Sequence, residues 1–474
     1  MRMKFLEKDE EDLIHEQSLK CLNEIGVMVH SESVLKMLAG AGAEVDYKKE
    51  IAKLPESLIE ESLRKAPKEI RYHARDPKHN LDIPVDNFPF TATNGLAIHI
   101  PDLETGELHA STRKDLADFT RLGDALDQVD YLWTSLTATD VPEDAHGAHE
   151  IWVTLQNTAK HVEGVSVLSG IDARKQVELA SLIVGGKDEL RKRPIISVIS
   201  CPIAPLAFEK GSIEAQVEFA KAGVPIVSMS MSLGGMSSPV TLAGTITNIN
   251  CENLASLVID EVAAPGAPHV YTSESTPIDM KTGVINYSAP EIPLIGAAAG
   301  QMAKRYGLPC MVAGWGSDGG RKAGIMSSFS ELAGGALSVL SGTDLAAGMG
   351  SIDVAKGCSY EQLVIDAYLW ENVRAFMRDF TISEETIALD IVKEVGHGNS
   401  FLTHPHTARN FKKELFFYDK KKLAWEATLS YRMVPKAKEV AMRLLKEHEV
   451  EPLDRDIIRQ GDELLKEYEK QLAS

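Results

Sequence analysis

Cysteine is scarce in this chain. Five residues (Cys21, Cys201, Cys251, Cys310, Cys358) are spread over 474 positions with no Cys-x-x-Cys spacing, which removes a disulfide framework and the usual structural zinc patterns. Long apolar runs are also missing. None approaches the roughly 20 residues needed to cross a bilayer, and the opening Met1-Arg2-Met3-Lys4-Phe5-Leu6-Glu7 turns acidic without the apolar core of an export signal. A cytoplasmic protein is expected. Basic charge is in deficit, with 50 Lys and Arg against 69 Asp and Glu and a formal charge of -19. This argues against a general nucleic-acid binder, which needs clustered cations for phosphates. The sequence has no Gly-x-Gly-x-x-Gly, Walker, Gly-x-Ser-x-Gly or His-Glu-x-x-His motif, so the common signatures of dinucleotide, triphosphate, serine hydrolase and zinc protease chemistry are absent.

The pattern that is present belongs to an ordinary globular protein, 44% hydrophobic and 25% charged, and long enough for one large barrel with additions. Leu13, Ile14, Leu19, Leu22 and Ile25 fall at helical spacing before Gly26. A second helix is predicted over Glu32–Leu38, and a third from Pro55 through Leu63 with proline in its first turn. Residues 70–74 and 81–84 alternate as a hairpin around Pro-Lys-His-Asn. From residue 90 the rhythm becomes strand then helix. Strands are predicted near 91–98, 131–137, 163–168, 195–200, 225–230, 268–273, 309–314 and 344–349. Helices are predicted between them, including 325–341, with the last over 359–378. Runs such as Ile195-Ile196-Ser197-Val198-Ile199 are apolar enough to be buried on both faces of a parallel sheet.

The fold expected is α/β: a (β/α)8 TIM barrel over 90–380, preceded by an N-terminal helical cap with a hairpin over 1–89. Residues 381–474 form a C-terminal extension, a polar loop over 396–407 and two charged helices near 434–447 and 453–472. A doubly wound sheet is the competing fold and lacks its fingerprint here.

Barrel chemistry sits at the carboxyl ends of strands. The polar and aromatic residues placed there include Trp133, Glu163, Tyr271, Glu274, Trp315, Ser317 and Asp318. No lysine ends a strand, which disfavours a Schiff-base aldolase. The glycine-rich turn Gly314–Gly320 has a bland reading as backbone geometry or a phosphate cradle. Trp133, Tyr271 and Trp315 are the rings available to hold a quaternary ammonium by cation–π attraction, worth roughly 0.5 to 2 kcal/mol each. Met229 reads chiefly as core packing. His404 and His406 have ligand chemistry but no third ligand beside them, so no metal is assigned.

Three stretches carry a resemblance: Ala313-Gly314-Trp315-Gly316-Ser317-Asp318; Gly357-Cys358-Ser359-Tyr360-Glu361-Gln362; and Val395-Gly396-His397-Gly398-Asn399-Ser400 with His404, His406, Thr407, Arg409 and Phe411. They resemble the trimethylamine methyltransferase family over nearly the whole chain. The resemblance implies a barrel that moves a methyl group from an amine to the cobalt of a separate corrinoid protein, with no tightly bound cofactor of its own. Founding members of that family carry pyrrolysine in the barrel mouth, which by position falls within 315–319; this chain has only standard residues there. A quaternary amine has no lone pair and already carries the charge that lets a neutral amine leave, so it does not need that residue.

The resemblance therefore implies a betaine substrate such as glycine betaine, proline betaine or carnitine, and cobalamin held by a partner protein. The substrate-binding candidates are Trp133, Tyr271, Glu274, Trp315, Ser317 and Asp318 around the cationic head, with His404, His406 and Arg409 toward the carboxylate. A homo-oligomer is expected. The alternatives are a zinc-dependent or decarboxylase-like barrel and a non-catalytic betaine-binding protein.

Overall fold

The computed structural model describes residues 3–285, 287, 289–314, 320, 322–324, 335–337, 339–415 and 430–473. Eight strands close a barrel: β1 (Phe90–Thr93), β2 (Tyr131–Trp133), β3 (His161–Gly164), β4 (Ile196–Ser200), β5 (Ile226–Ser230), β6 (His269–Ser273), β7 (Cys310–Gly314) and β8 (Leu345–Met349). Every neighbouring pair is parallel, and β8 returns to β1 to complete the ring. The (β/α)8 barrel is thus the observed fold.

Helices Arg113–Asp124, His146–Gln156, Gly170–Val184, Lys210–Ala222, Leu242–Ala263, Glu291–Arg305 and Tyr360–Met377 surround it. Four of them start on a hydroxyl: Thr112, Ser169, Thr241 and Ser359 each accept from the backbone N–H three residues on, which satisfies a donor the helix itself cannot. Gly185 and Gly223 end two of them at φ 95° and 74°, a conformation that costs a side-chain-bearing residue. The helix predicted over 325–341 lies largely outside the described residues.

Two apolar layers hold this arrangement. Between strands and helices, Ile151, Leu155, Val162, Val198, Phe219 and Ile226 are fully or nearly fully buried. Inside the ring, Tyr131, Trp133, Ile199, Val227, Met229, Val270, Met311 and Leu345 fill the bore, as alternate positions of each strand must.

The hairpin Ile70–Tyr72 with Leu81–Ile83 packs Ile70, Tyr72, Leu81 and Ile83 into that same interior from the amino end of the strands. Beside this seal the Lys160 ammonium is buried and donates to the carbonyls of Gly123, Leu126 and Val129 at 3.0, 2.9 and 2.7 Å. The Gly123 and Leu126 carbonyls also accept from the Leu126 and Val129 N–H at 3.3 and 3.1 Å, so the ammonium braces the turn that ends helix Arg113–Asp124.

The cap contains more strand than the sequence suggests. Val27–Val29, Glu44–Asp46 and Ile51–Lys53 form a sheet with Ala207–Phe208 from the loop after β4. Its helices Lys8–Glu24 and Glu56–Lys65 pack on Leu242–Ala263, which is buried along most of its length. Pro55 caps its helix from just outside, with Glu56 the first helical residue, because the Pro55 carbonyl already accepts from Leu58 and Ile59.

Two helices end the chain. Ser430–Glu447 buries Met433, Ala437 and Ala441 in the core shared with Tyr360–Met377. Arg455–Leu472 presses Gly461 onto Trp152, where a Cβ would meet the indole at 2.1 Å. Of the polar loop read over 396–407, residues 396–404 are non-helical and 405–407 open the helix Pro405–Glu414; before the loop stand the short helices Glu384–Ile387 and Leu389–Val395, and none of the three helices has a buried residue. Pro405 takes the first helical position and the His404 ring accepts from the His406 N–H at 3.1 Å, so an imidazole serves as the cap.

Candidate active site

The carboxyl end of the barrel holds a narrow cleft, with about 10 Å3 of room for a water-sized sphere, lined by Trp133, Met229, Thr272, Ser273, Glu274, Met311 and Ala347. β2, β5, β6, β7 and β8 each deliver a residue to it. Trp133 is 5% exposed and forms the floor. Its six-membered ring lies against Gly95, where a Cβ would sit 2.6 Å from Trp133 Cε3, so glycine at that position lets the indole occupy the bore.

Directly beside it, Glu163 on β3 is the register partner of Trp133 on β2. Both side chains therefore point inward at the same level. The Glu163 Oε2 atom accepts from Ser197 Oγ at 2.7 Å and from the Tyr72 hydroxyl at 3.2 Å. Ser197 also meets His161 Nε2 at 2.9 Å, and His161 Nδ1 donates to the His73 carbonyl at 2.7 Å. Tyr72 stacks on His161 with ring centres 4.2 Å apart.

Burial pushes Glu163 up to about 7, against the opposing donation of Ser197 and Tyr72, and pushes His161 down to about 3. The indole N–H lies near enough to Glu163 to favour its charged form, yet neither Trp133 Nε1 nor Glu163 Oε1 has a partner at hydrogen-bond geometry.

A second polar net braces the rim. Ser230 donates to Glu252 Oε2 at 2.5 Å, Asn248 donates to Ser232 Oγ and Glu252 Oε1 at 2.8 and 2.9 Å, and the Ser232 N–H donates to Ser275 at 2.9 Å. Glu252 is raised by burial and held by these donors. Outside the rim, large apolar side chains are exposed in the segments that follow the strands: Ile98, Ile171, Ile203, Met236, Val240 and Met280.

The structure brings Trp133 and Glu274 of the expected set together at the mouth. Tyr271 is turned the other way. Fully buried, it packs with Ile249, Leu257 and Ile295 of the outer helices and donates its hydroxyl to Asn250 Oδ1 at 3.2 Å, because Val270 and Thr272 hold the inward positions of β6. His404 is occupied in capping its helix, with Nε2 3.4 Å from Glu394. Arg409 is exposed and bonds the Pro405 carbonyl at 3.3 Å, while the His406 carbonyl takes Asn410 at 2.9 Å. These three residues form local contacts on the short helix rather than a lining of the mouth. Trp315, Ser317 and Asp318 lie outside the described residues.

The mouth also contains Met229, Met311, Thr272 and Ala347, which sequence reasoning left in the core or passed over. Strand alternation is the signal that finds them once one inward residue is known. Among the described residues, no group of three His, Cys, Asp or Glu is placed to hold a metal ion, and no helix is long and apolar enough to cross a membrane.

Comparison with known proteins agrees with this architecture. The chain is 31% identical over 472 residues to the trimethylamine methyltransferase of Methanosarcina barkeri, covering 98% of this chain and 94% of that protein. It is 30% identical over 451 residues to the trimethylamine methyltransferase of Desulfitobacterium hafniense, covering 94% and 90%. A glycine betaine methyltransferase of Desulfitobacterium hafniense is 29% identical over 415 residues, covering 87% and 85%. Among solved structures, the monomethylamine methyltransferase of Methanosarcina barkeri superposes with a TM-score of 0.54 at 12% identity, over 94% of this chain and 88% of that one, a likeness of fold alone. The family model for trimethylamine methyltransferase (MTTB) matches residues 1–472, and the chain belongs to that family.

Proposed function

We propose that this protein takes a methyl group from a quaternary amine of the betaine class and passes it to the Co(I) of a separate corrinoid protein. The observation that carries the reading is the make-up of the mouth: an indole floor, two thioethers and a rim carboxylate. A quaternary ammonium offers no N–H to hydrogen-bond, so it is recognised by ring faces, polarisable sulfur and a nearby negative charge. Trp133, Met229, Met311 and Glu274 are groups of those kinds. Two further facts support it. The sequence that follows β7 is Trp315-Gly316-Ser317-Asp318-Gly319, all standard residues, and one relative is named for glycine betaine.

The chemistry is an in-line displacement. The cobalt electron pair forms the Co–C bond, the C–N pair leaves with nitrogen, and the products are a neutral tertiary amine and methyl-Co(III). No proton moves in that step. The barrel positions the methyl group and keeps water from the reacting centre. Because the amino end is sealed by the hairpin, cobalt must approach from the open end, where the exposed apolar side chains around Ile203 and Met280 offer a docking surface. In this reading the protein works in the cytoplasm as a homo-oligomer and holds no cofactor of its own.

The test mixes the purified protein with reduced corrinoid protein, or free cobalamin, and a panel of betaines with trimethylamine, following methyl-cobalt by absorbance. Demethylation of at least one betaine is expected. Turnover of trimethylamine without any quaternary amine would overturn the reading.

A further inference from the structure

Glu163 is the buried acid at the barrel centre that the displacement does not use. Its neighbours come from every side. The hairpin contributes Tyr72, β2 contributes Tyr131 and Trp133, β3 contributes His161, and β4 contributes Ser197. Burial raises both tyrosines well above their ordinary range and keeps His161 neutral, so Glu163 is the group of this cluster that changes charge near neutrality. Glu274 at the rim is the other carboxyl of the mouth.

Two orphaned atoms point to the role. Trp133 Nε1 is a donor without an acceptor, and Glu163 Oε1 is an acceptor without a donor. Their residues are paired across β2 and β3 on the inward face. A buried donor and a buried acceptor left unmade are costly, and the indole N–H lies near both the Glu163 carboxyl and the Tyr131 hydroxyl.

We propose that Glu163 is the positioning residue of the mouth, taking the Trp133 indole N–H and, as a carboxylate, making that ring a stronger seat for a fixed cation. The inference rests on the reading of the mouth as a cation site. A charge-assisted bond fixes the indole and pushes electron density toward its faces, which is the property a quaternary ammonium senses.

The proton on Glu163 controls this through Ser197, whose hydroxyl has one hydrogen to give. With Glu163 ionised, Ser197 and Tyr72 both donate to Oε2 and the indole N–H completes the carboxylate. With Glu163 protonated, the acid donates to Ser197 Oγ, Ser197 turns its hydrogen to His161 Nε2, and the charge beneath the indole is gone. A fixed cation binding above Trp133 favours the ionised state, so binding releases a proton from Glu163 to the buffer.

The experiment labels the tryptophans of the full chain with nitrogen-15 and follows the indole N–H signal that disappears in Trp133→Phe, without ligand, from about pH 6 to about pH 8. A shift with a midpoint near neutrality is expected in the wild type and a flat signal in Glu163→Gln, an isosteric change that copies the protonated acid. A flat wild-type signal, or the same titration in Glu163→Gln, overturns the tie. Calorimetry then measures glycine betaine and tetramethylammonium affinity over the same range. Binding about fivefold tighter at the alkaline end, with proton release, is expected in the wild type and lost in Glu163→Gln. Affinity that ignores pH while the indole titrates overturns the cation seat. Failure of both ligands to bind at any pH counts against the betaine reading, while the indole titration still decides the Glu163 tie.

Discussion

The two ends of the barrel solve opposite problems. At the amino end, the hairpin fills the bore with Ile70, Tyr72, Leu81 and Ile83, and its Tyr72 hydroxyl joins Ser197 in donating to Glu163 Oε2. At the carboxyl end, Trp133, Met229 and Met311 are left facing a space, and the surrounding loops expose Ile203, Met236 and Met280 to solvent. Stability is concentrated where the polar groups are satisfied, and recognition where apolar surface is left uncovered. The Trp133–Glu163 pair is the boundary between the two.

Cutting into the sealed end is expected to cost the most. Tyr72→Ala removes a fully buried ring and one donor to Glu163, with a loss of about 3 to 5 kcal/mol by urea unfolding; a loss below about 1 kcal/mol would show the hairpin to be peripheral. The boundary gives a pH-dependent effect. Glu163, raised from its ordinary 4.5 to about 7, keeps its proton to higher pH in the folded chain than in the unfolded one. Its contribution to stability is therefore lost as pH rises from about 4.5 to about 7, a span worth on the order of 3 kcal/mol. Glu163→Gln should gain stability relative to the wild type across that window, read as a growing difference in melting temperature. A constant difference would mean the acid is not buried in the way described.

At the open end the effects move from stability to binding. Gly95→Ala places a Cβ against the indole and should displace it, weakening betaine affinity about tenfold, with an overpacking cost of about 1 to 3 kcal/mol. Unchanged affinity would remove Trp133 from the floor of the site. The smallest effect on folding belongs to the rim. Ile203→Ser with Met280→Ser should leave unfolding within about 0.5 kcal/mol and still slow methyl transfer at low corrinoid-protein concentration. Equal rates would place the docking surface elsewhere.

The barrel was readable because its signal is redundant: eight apolar runs alternate with helical periods, and each observed strand overlaps its predicted run, though β1 and β2 end four to five residues earlier and β3 shares only Glu163 and Gly164 with 163–168. The mouth was harder, because its composition depends on parity. In β6 both Val270 and Tyr271 are apolar enough to face the bore, and only closure of the ring shows that Val270 and Thr272 do so while Tyr271 joins the outer helices. Glu163 was visible as a strand-end acid, but its partner Tyr72 lies in the hairpin and is joined to it only by the fold. His404 was a candidate for the substrate carboxylate because of its ligand chemistry; its ring nitrogen takes a backbone N–H and caps the helix Pro405–Glu414, a role set by the proline that follows it.

The floor of the barrel also carries a statement about time. The hairpin leaves the ribosome ahead of every strand it will seal, and the Tyr72–Glu163 bond spans 91 residues. Another tie to the same end, from the Val85 N–H to Asp344, spans 259. An element made early must therefore wait, solvated and without its partners, until β3 and β4 exist, and the ring around it closes only when β8 has been synthesised. Contacts of such sequence separation form slowly. A chain halted before β8 holds a finished plug with no bore to fill, and its apolar face remains open to chaperones and to other nascent chains.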